Sequence, residues 1–144
     1  MSIEIFVLSH AALSSLAEWQ KAIDAEGADL KLSQEGTFEA LNGFLPAGLR
    51  DVETGFECDH FDPATFIEES KEAQPELDWD GGWTHVLAFR WGGDFKEAAS
   101  AYLAASAYAR ATNGVIYDSE AGEIYTPEQA KPIAQGLLDF AFNE

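Results

Sequence analysis

A largely apolar segment at residues 84–91 constrains the fold of this chain more than any other feature. Both faces of the segment are largely apolar when it is extended, which is typical of a central strand. Residues 3–9 form a second β-branched and aromatic run, and residues 55–61 alternate between apolar and polar as a half-buried strand does. Two short runs, 115–117 and 123–125, flank a Ser-Glu-Ala-Gly turn and are expected to form a hairpin. The chain is therefore expected to contain a sheet with residues 84–91 near its centre.

Capping residues and helical spacing predict helices between these strands. Ser15 and Glu18 have capping-box spacing before a helix over about residues 15–26, and Asp62 followed by Pro63 opens a helix to about residue 73. An Ala-rich helix is expected over 95–112, and a last helix follows Thr126 and Pro127. The expected inner stripe of the Ala-rich helix consists of Phe95, Ala98, Ala99, Tyr102, Ala105 and Ala109.

Helices and hairpins alternate irregularly, which favours an α+β fold over a regular doubly wound sheet. We expect a mainly antiparallel twisted sheet, covered by about four helices, in one domain spanning residues 1–144. The segment 30–49 is the least informative. Residues 37–41 are compatible with strand or helix, and Pro46 argues that any strand there lies at a sheet edge.

The balance of charges limits the classes of partner. Asp and Glu number 26 against 8 Lys and Arg, a net charge of −18. Such a field repels phosphate backbones and anionic membrane surfaces, so direct nucleic-acid and membrane binding are not expected. It attracts a basic protein and raises its association rate. Ten Phe, four Trp and four Tyr argue against a disordered acidic tail, whereas halophilic adaptation stays open as an alternative.

Targeting signals and cysteine pairs are absent from the sequence. Cys58 is the only cysteine, which excludes an intramolecular disulfide and the usual zinc spacings. Residues 1–6 lack the positive segment and apolar run of a signal peptide, and no stretch approaches the roughly 20 apolar residues of a membrane span. A cytoplasmic location is therefore expected.

Acidic residues are concentrated between residues 51 and 80, where 11 carboxylates accompany a single base, Lys71. A charge run of this kind is either a solvated face or a surface that meets a cationic partner, which would offset the self-repulsion. Trp79 lies within the acidic loop 75–82, and Trp83 follows it directly. They suit an interface hot spot facing Arg or Lys, or else they fold back into the core. The candidate partner-binding residues are Asp59, Asp62, Glu72, Glu76, Asp78, Trp79, Asp80 and Trp83.

Catalytic chemistry has a weaker basis in the sequence. Asp78 with Asp80, or Glu57 with Asp59, could act as a metal-binding or acid–base pair, but nothing distinguishes these from the other carboxylates. The three histidines are scattered, and no nucleophile elbow, phosphate loop or calcium-loop register is present. No catalytic residue, metal or cofactor is therefore predicted, and the chain is not expected to be an enzyme.

Two stretches resemble a known group of proteins. The first stretch is Gly43-Phe44-Leu45-Pro46, followed by residues 53–57. The second stretch begins with residues 89–94, continues through the Ala-rich helix, and ends with residues 114–118 and 125–128. Together these resemble small bacterial immunity proteins, the cytosolic inhibitors encoded beside interbacterial toxins of type VI secretion or Rhs-type systems. The resemblance covers about the last two thirds of the chain and implies a cognate toxin as partner. The net negative charge adds the expectation that this toxin has a basic surface.

Three other hypotheses stay open. A small-ligand or carboxylate-based enzyme domain predicts an apolar pocket with convergent polar groups. A DNA-mimic inhibitor predicts carboxylates spaced like phosphates along an elongated face. A structural subunit of a larger complex predicts an apolar interface of obligate size.

Overall fold

The computed structural model describes residues 3–142, in which seven strands form one sheet with helices on both faces. The elements are, in chain order, β1 (Ile3–Ser9), α1 (Leu16–Ala25), β2 (Leu30–Leu32), β3 (Asn42–Leu49), β4 (Val52–Phe61), α2 (Pro63–Ala73), β5 (His85–Trp91), α3 (Phe95–Thr112), β6 (Val115–Asp118), β7 (Glu123–Tyr125) and α4 (Pro127–Phe142).

The strand order across the sheet is β2-β3-β4-β5-β1-β6-β7, and every neighbouring pair is antiparallel. The predicted α+β class is confirmed, and β5 occupies the fourth of seven positions, as its two apolar faces indicated. Each central strand sends alternate side chains to opposite faces. Ile5, paired with Phe89, faces one hydrophobic cluster, and Phe6, paired with Ala88, faces the other.

The larger core lies on the face covered by α1, α3 and α4. Trp19 is fully buried at its centre, where its indole N–H donates to the carbonyl oxygen of Ala104 at 3.0 Å. The rings of Phe89 and Tyr108 meet Trp19 edge-on at centroid distances of 5.9 and 5.5 Å. Small side chains such as Ala105 allow α3 to lie close to the sheet, which is why this helix is Ala-rich on several sides.

The smaller core lies on the opposite face, beneath α2 and the segment that follows it. Its buried members are Phe6, Leu8, Phe66, Trp79, Val86, Ala88 and Tyr117. This cluster covers only part of the sheet face. The remainder, including Phe44 on β3, stays open to solvent, with Phe44 58% exposed.

The segment 30–49 differs from two expectations. Residues 37–41 form bends and turns, while Phe38 among them is buried in the larger core. The strand that contains Pro46 is not at the edge, because β2 lies outside it. The β2–β3 ladder ends at the pair Leu32–Ala47, so Pro46 lies one residue beyond it and its missing N–H interrupts no β2–β3 pair. On its other side Pro46 is paired with Gly55 of β4. Its carbonyl still accepts from the N–H of Ser33 at 2.9 Å.

The inner stripe of α3 was predicted correctly except at its first residue. Phe95 is 46% exposed and contacts the exposed Phe140 of α4, with ring centroids 4.4 Å apart. Phe95 is the first residue of the helix, immediately after the cap Asp94, and its ring packs against α4 instead of the core. None of the four described helices is long and apolar enough to cross a bilayer.

Candidate protein-binding surface

Helix α2 and the segment from Gln74 to Thr84 form a layer over the smaller core, which we call the acidic cover. The helix begins where the sequence predicts. Asp62 accepts hydrogen bonds from the N–H of Thr65 at 3.0 Å and from its hydroxyl at 2.8 Å, and Pro63 occupies the first turn. Phe66 and Ser70, one turn apart, are buried, so the other sides of α2 face solvent.

The C-terminal end of α2 is fastened to the sheet through Gln74. Its side-chain oxygen accepts a hydrogen bond from the hydroxyl of Tyr117 on β6, and its backbone carbonyl accepts from the indole N–H of Trp79 at 2.8 Å. The rings of Trp79 and Tyr117 meet edge-on at 4.9 Å. Trp79 is 5% exposed, so the hypothesis that it contacts a partner directly is wrong and the alternative, folding into the core, applies. An indole of this size in an apolar gap gains more from burial than from exposure.

The rest of the acidic cover returns to the end of β1. The carboxylate of Asp78 accepts from the N–H of Asp80 at 3.0 Å, and the imidazole Nε2 of His10 lies 2.6 Å from the carbonyl oxygen of Gly81. Trp83 is half-buried, and its ring lies against Gly81, at which a Cβ would come within 2.4 Å of the indole. Trp83 therefore presents part of one ring to solvent, which leaves it as the tryptophan available to a partner.

The carboxylates of the acidic cover are exposed and largely uncompensated. Seven of them lie between residues 62 and 80: Asp62, Glu68, Glu69, Glu72, Glu76, Asp78 and Asp80. Lys71 is the only base in this stretch, and its ammonium lies 3.9 Å from Asp80, with both side chains mostly in solvent. Such a pair contributes little to stability. The hydrogen bonds from Thr65 lower the pKa of Asp62, so this carboxylate stays charged at neutral pH.

The structure divides the candidate residues into three groups. Glu72, Glu76, Asp78, Asp80 and Trp83 lie at the C-terminal end of α2 and on the returning segment. Asp62 lies at the N-terminal end of the same helix; the 11 residues of α2 separate these ends by about 16 Å.

Asp59 lies outside the acidic cover, on β4, and Trp79 belongs to the cover but its side chain is buried in the smaller core. Asp59 is half-buried on the open part of the sheet, opposite Ala88 and Asn42 in the register. Nearby on that face the guanidinium of Arg90 forms an ion pair with Glu57 at 3.1 Å. Six of the eight candidate residues therefore lie at the surface of the acidic cover.

A groove between α2 and the sheet was not predicted from the sequence. Its volume is about 640 Å³, its floor is formed by Phe6, Phe61, Phe66 and Tyr117, and the carboxylates of Glu4, Asp62 and Glu69 lie at its rim. The sequence contains one signal for it. Phe61 continues the alternation of β4 on the face of Glu57 and Asp59, and this pattern, which received no role in the sequence analysis, places an aromatic ring beside carboxylates.

The side chains considered for catalysis have structural partners. Glu57 is paired with Arg90, Asp78 shapes the turn to Asp80, and His60 lies 2.8 Å from the carbonyl of Phe38. Among residues 3–142 no three His, Cys, Asp or Glu side chains are placed to share a metal ion. Burial, with a smaller effect of Asp59, raises the pKa of the Cys58 thiol well above its usual value.

Comparisons with protein-family models, curated proteins and solved structures yield no match to this chain.

Proposed function

We propose that this protein is a cytoplasmic immunity protein that binds a basic toxin domain and occludes its working surface without turnover. The observation that carries the proposal is the acidic cover, with seven exposed carboxylates and one base. The resemblance to immunity proteins agrees with this charge argument, because toxins that act on nucleic acids or nucleotides often have basic clefts.

The negative charge of the protein supports a role for the acidic cover in steering a cationic partner towards it. Exposed charges on a solvated surface act mainly on the rate of encounter, and a net charge of −18 increases the association rate of a cationic partner. Concentrating like charges on one layer destabilises the free protein by repulsion, and a basic partner would relieve it. Trp83, half-buried near the C-terminal end of this layer, supplies an aromatic surface that suits contact with Arg or Lys.

The rigid attachment of the acidic cover supports occlusion. Gln74 fastens the layer where α2 ends, and His10 and Ser9 hold its C-terminal end through Gly81 and Thr84. A surface fixed in this way loses little conformational entropy on binding, which favours tight inhibition.

The experiment begins with capture of the partner. The tagged protein is incubated with the product of the neighbouring gene, or with lysate of its source organism, at about 50 mM and 500 mM salt. We expect one stoichiometric basic partner that is partly lost at the higher salt. Co-expression should then protect cells from that partner.

The association kinetics of charge-reversed variants tests whether the acidic cover is the surface that binds the partner. Glu76→Lys with Asp80→Lys should slow association by roughly tenfold or more and reduce its salt dependence. Asp78 is left in place because its carboxylate shapes the turn. Glu35→Lys with Glu39→Lys is the matched control, since these exposed residues lie in the 33–41 loop and change the net charge equally. Equal slowing by both pairs would show that only total charge matters. Absence of any protein partner at either salt would overturn the proposal.

A further inference from the structure

The groove between α2 and the sheet combines an aromatic floor with a carboxylate rim. The floor rings lie close together: Phe6 is 4.5 Å from Phe66 and 5.9 Å from Phe61, measured between centroids. Phe61 is 39% exposed, so part of this aromatic surface is open to a ligand. Contact between an aromatic ring and water is unfavourable, so a ligand that covers the exposed part of the ring gains free energy by removing it from water.

The rim carries negative charge close to those rings. One oxygen of Asp62 caps α2, and hydrogen bonding from Thr65 lowers the pKa of that carboxyl, so it is ionised. Glu69 lies one helical turn from the buried Phe66 and forms no ion pair within residues 3–142. Glu4 is opposite Arg90 in the β1–β5 register and is therefore partly compensated. Asp62 and Glu69 therefore supply the uncompensated negative charge that attracts a cationic group to the groove.

We infer that this groove receives an arginine side chain from a basic protein partner, whose guanidinium stacks on the exposed ring of Phe61 and is bound by the carboxylates of Asp62 and Glu69. The inference rests on the proposed function and adds a specific anchor to it. Guanidinium suits the groove because it is planar, weakly hydrated, and able to donate to carboxylates while it stacks on aromatic rings. The groove is a broad depression open to solvent, so neighbouring residues of the partner segment can lie along it beside the arginine.

The groove is tested with a peptide, independently of any natural partner. The isotope-labelled full chain is titrated with acetyl-Gly-Arg-Gly-amide while backbone amide shifts are recorded. The control peptide replaces arginine by citrulline, which has nearly the same shape and no charge. We expect saturable shifts centred on Phe61, Thr65, Glu69 and Tyr117 with the arginine peptide, and far smaller ones with citrulline.

Matched variants separate the groove from general acidity. Glu69→Gln should raise the dissociation constant of the arginine peptide about threefold or more. Glu68→Gln removes the same charge from the neighbouring residue of α2, which does not line the groove, and should leave the constant unchanged. Both residues are exposed on the helix, so neither change threatens folding.

Two outcomes would overturn the inference: equal weakening by Glu69→Gln and Glu68→Gln, or equal shifts with the arginine and citrulline peptides. Either result is compatible with a toxin bound elsewhere on the acidic cover, so it leaves the proposed function standing. Specific peptide binding in the groove, together with no protein partner in the capture experiment, would instead refute the proposed function alone.

Discussion

The indole N–H of Trp79 donates to the backbone carbonyl of Gln74 at 2.8 Å, and this bond closes the acidic cover onto the end of α2. Trp79→Phe keeps an aromatic ring but removes the donor and part of the buried volume. We expect it to lower the free energy of unfolding by roughly 1–3 kcal/mol, measured by urea denaturation. Trp83→Phe is the control, since Trp83 is half-buried, and should cost less. Equal losses in the two variants would contradict this role of the hydrogen bond.

A second prediction concerns Gly55 on β4. Its φ is +151°, and a Cβ added there would lie 2.5 Å from the carbonyl oxygen of Leu45 and 2.5 Å from the ring of Phe44. Both the backbone conformation and the packing therefore require glycine. Gly55→Ala should reduce stability by roughly 1–3 kcal/mol.

The neighbouring strand supplies the control for that substitution. Gly48 on β3 has no heavy atom within 4 Å of its added Cβ and no positive φ. Gly48→Ala should leave stability unchanged or slightly raised, because alanine restricts the unfolded chain more than glycine does. A comparable loss in both variants, seen as similar shifts of the urea midpoint, would contradict the steric argument.

Local signals account for most of the agreement between sequence and structure. The cap at Asp62 and the left-handed Asn113 that ends α3 each place a boundary through short-range contacts, which the sequence contains in full. The two apolar faces of β5 likewise predicted its central position. The α+β class follows from the order of these elements.

The sequence predictions are wrong or incomplete where contacts between residues distant in sequence determine the structure. Trp79 lies in an acidic, polar stretch, and only Tyr117, distant in sequence, shows that the loop folds inwards. Pro46 suggested an edge, but β2 is three residues long and stops before reaching it. The groove depends on Phe6, Phe61 and Phe66 from three different elements, a juxtaposition that no local pattern contains.

Cys58 gives a third prediction. Its side chain is fully buried between layers, and burial raises the pKa of its thiol, so the reactive thiolate is scarce in the folded protein. We expect a disulfide reagent at about pH 8 to label native protein far more slowly than urea-unfolded protein. The labelling rate should rise with urea in step with unfolding. Rapid stoichiometric labelling without denaturant would show that this part of the core opens readily.

The last prediction concerns stability in alkaline solution. Tyr108 of α3 is 2% exposed, and burial raises its pKa to about 12, partly offset by hydrogen bonding with the Leu13 backbone and with smaller raising effects of Cys58 and Glu18. In the unfolded chain its pKa is about 10. The folded state therefore holds the phenolic proton more tightly. Its contribution to stability is complete below about pH 10 and is lost as the pH rises towards 12, with a slope of up to about 1.4 kcal/mol per pH unit.

Tyr108→Phe isolates that contribution. Tyr102, Tyr117 and Tyr125 also have raised pKa values, caused first by burial, and they contribute to alkaline unfolding in both proteins. The difference in unfolding free energy between wild type and Tyr108→Phe should therefore be constant from about pH 7 to 9 and should shift in favour of the variant above about pH 10. Urea denaturation at each pH measures it. Parallel curves throughout would mean that the Tyr108 hydroxyl ionises as easily in the folded protein as in the unfolded chain, which its burial beside Trp19 argues against.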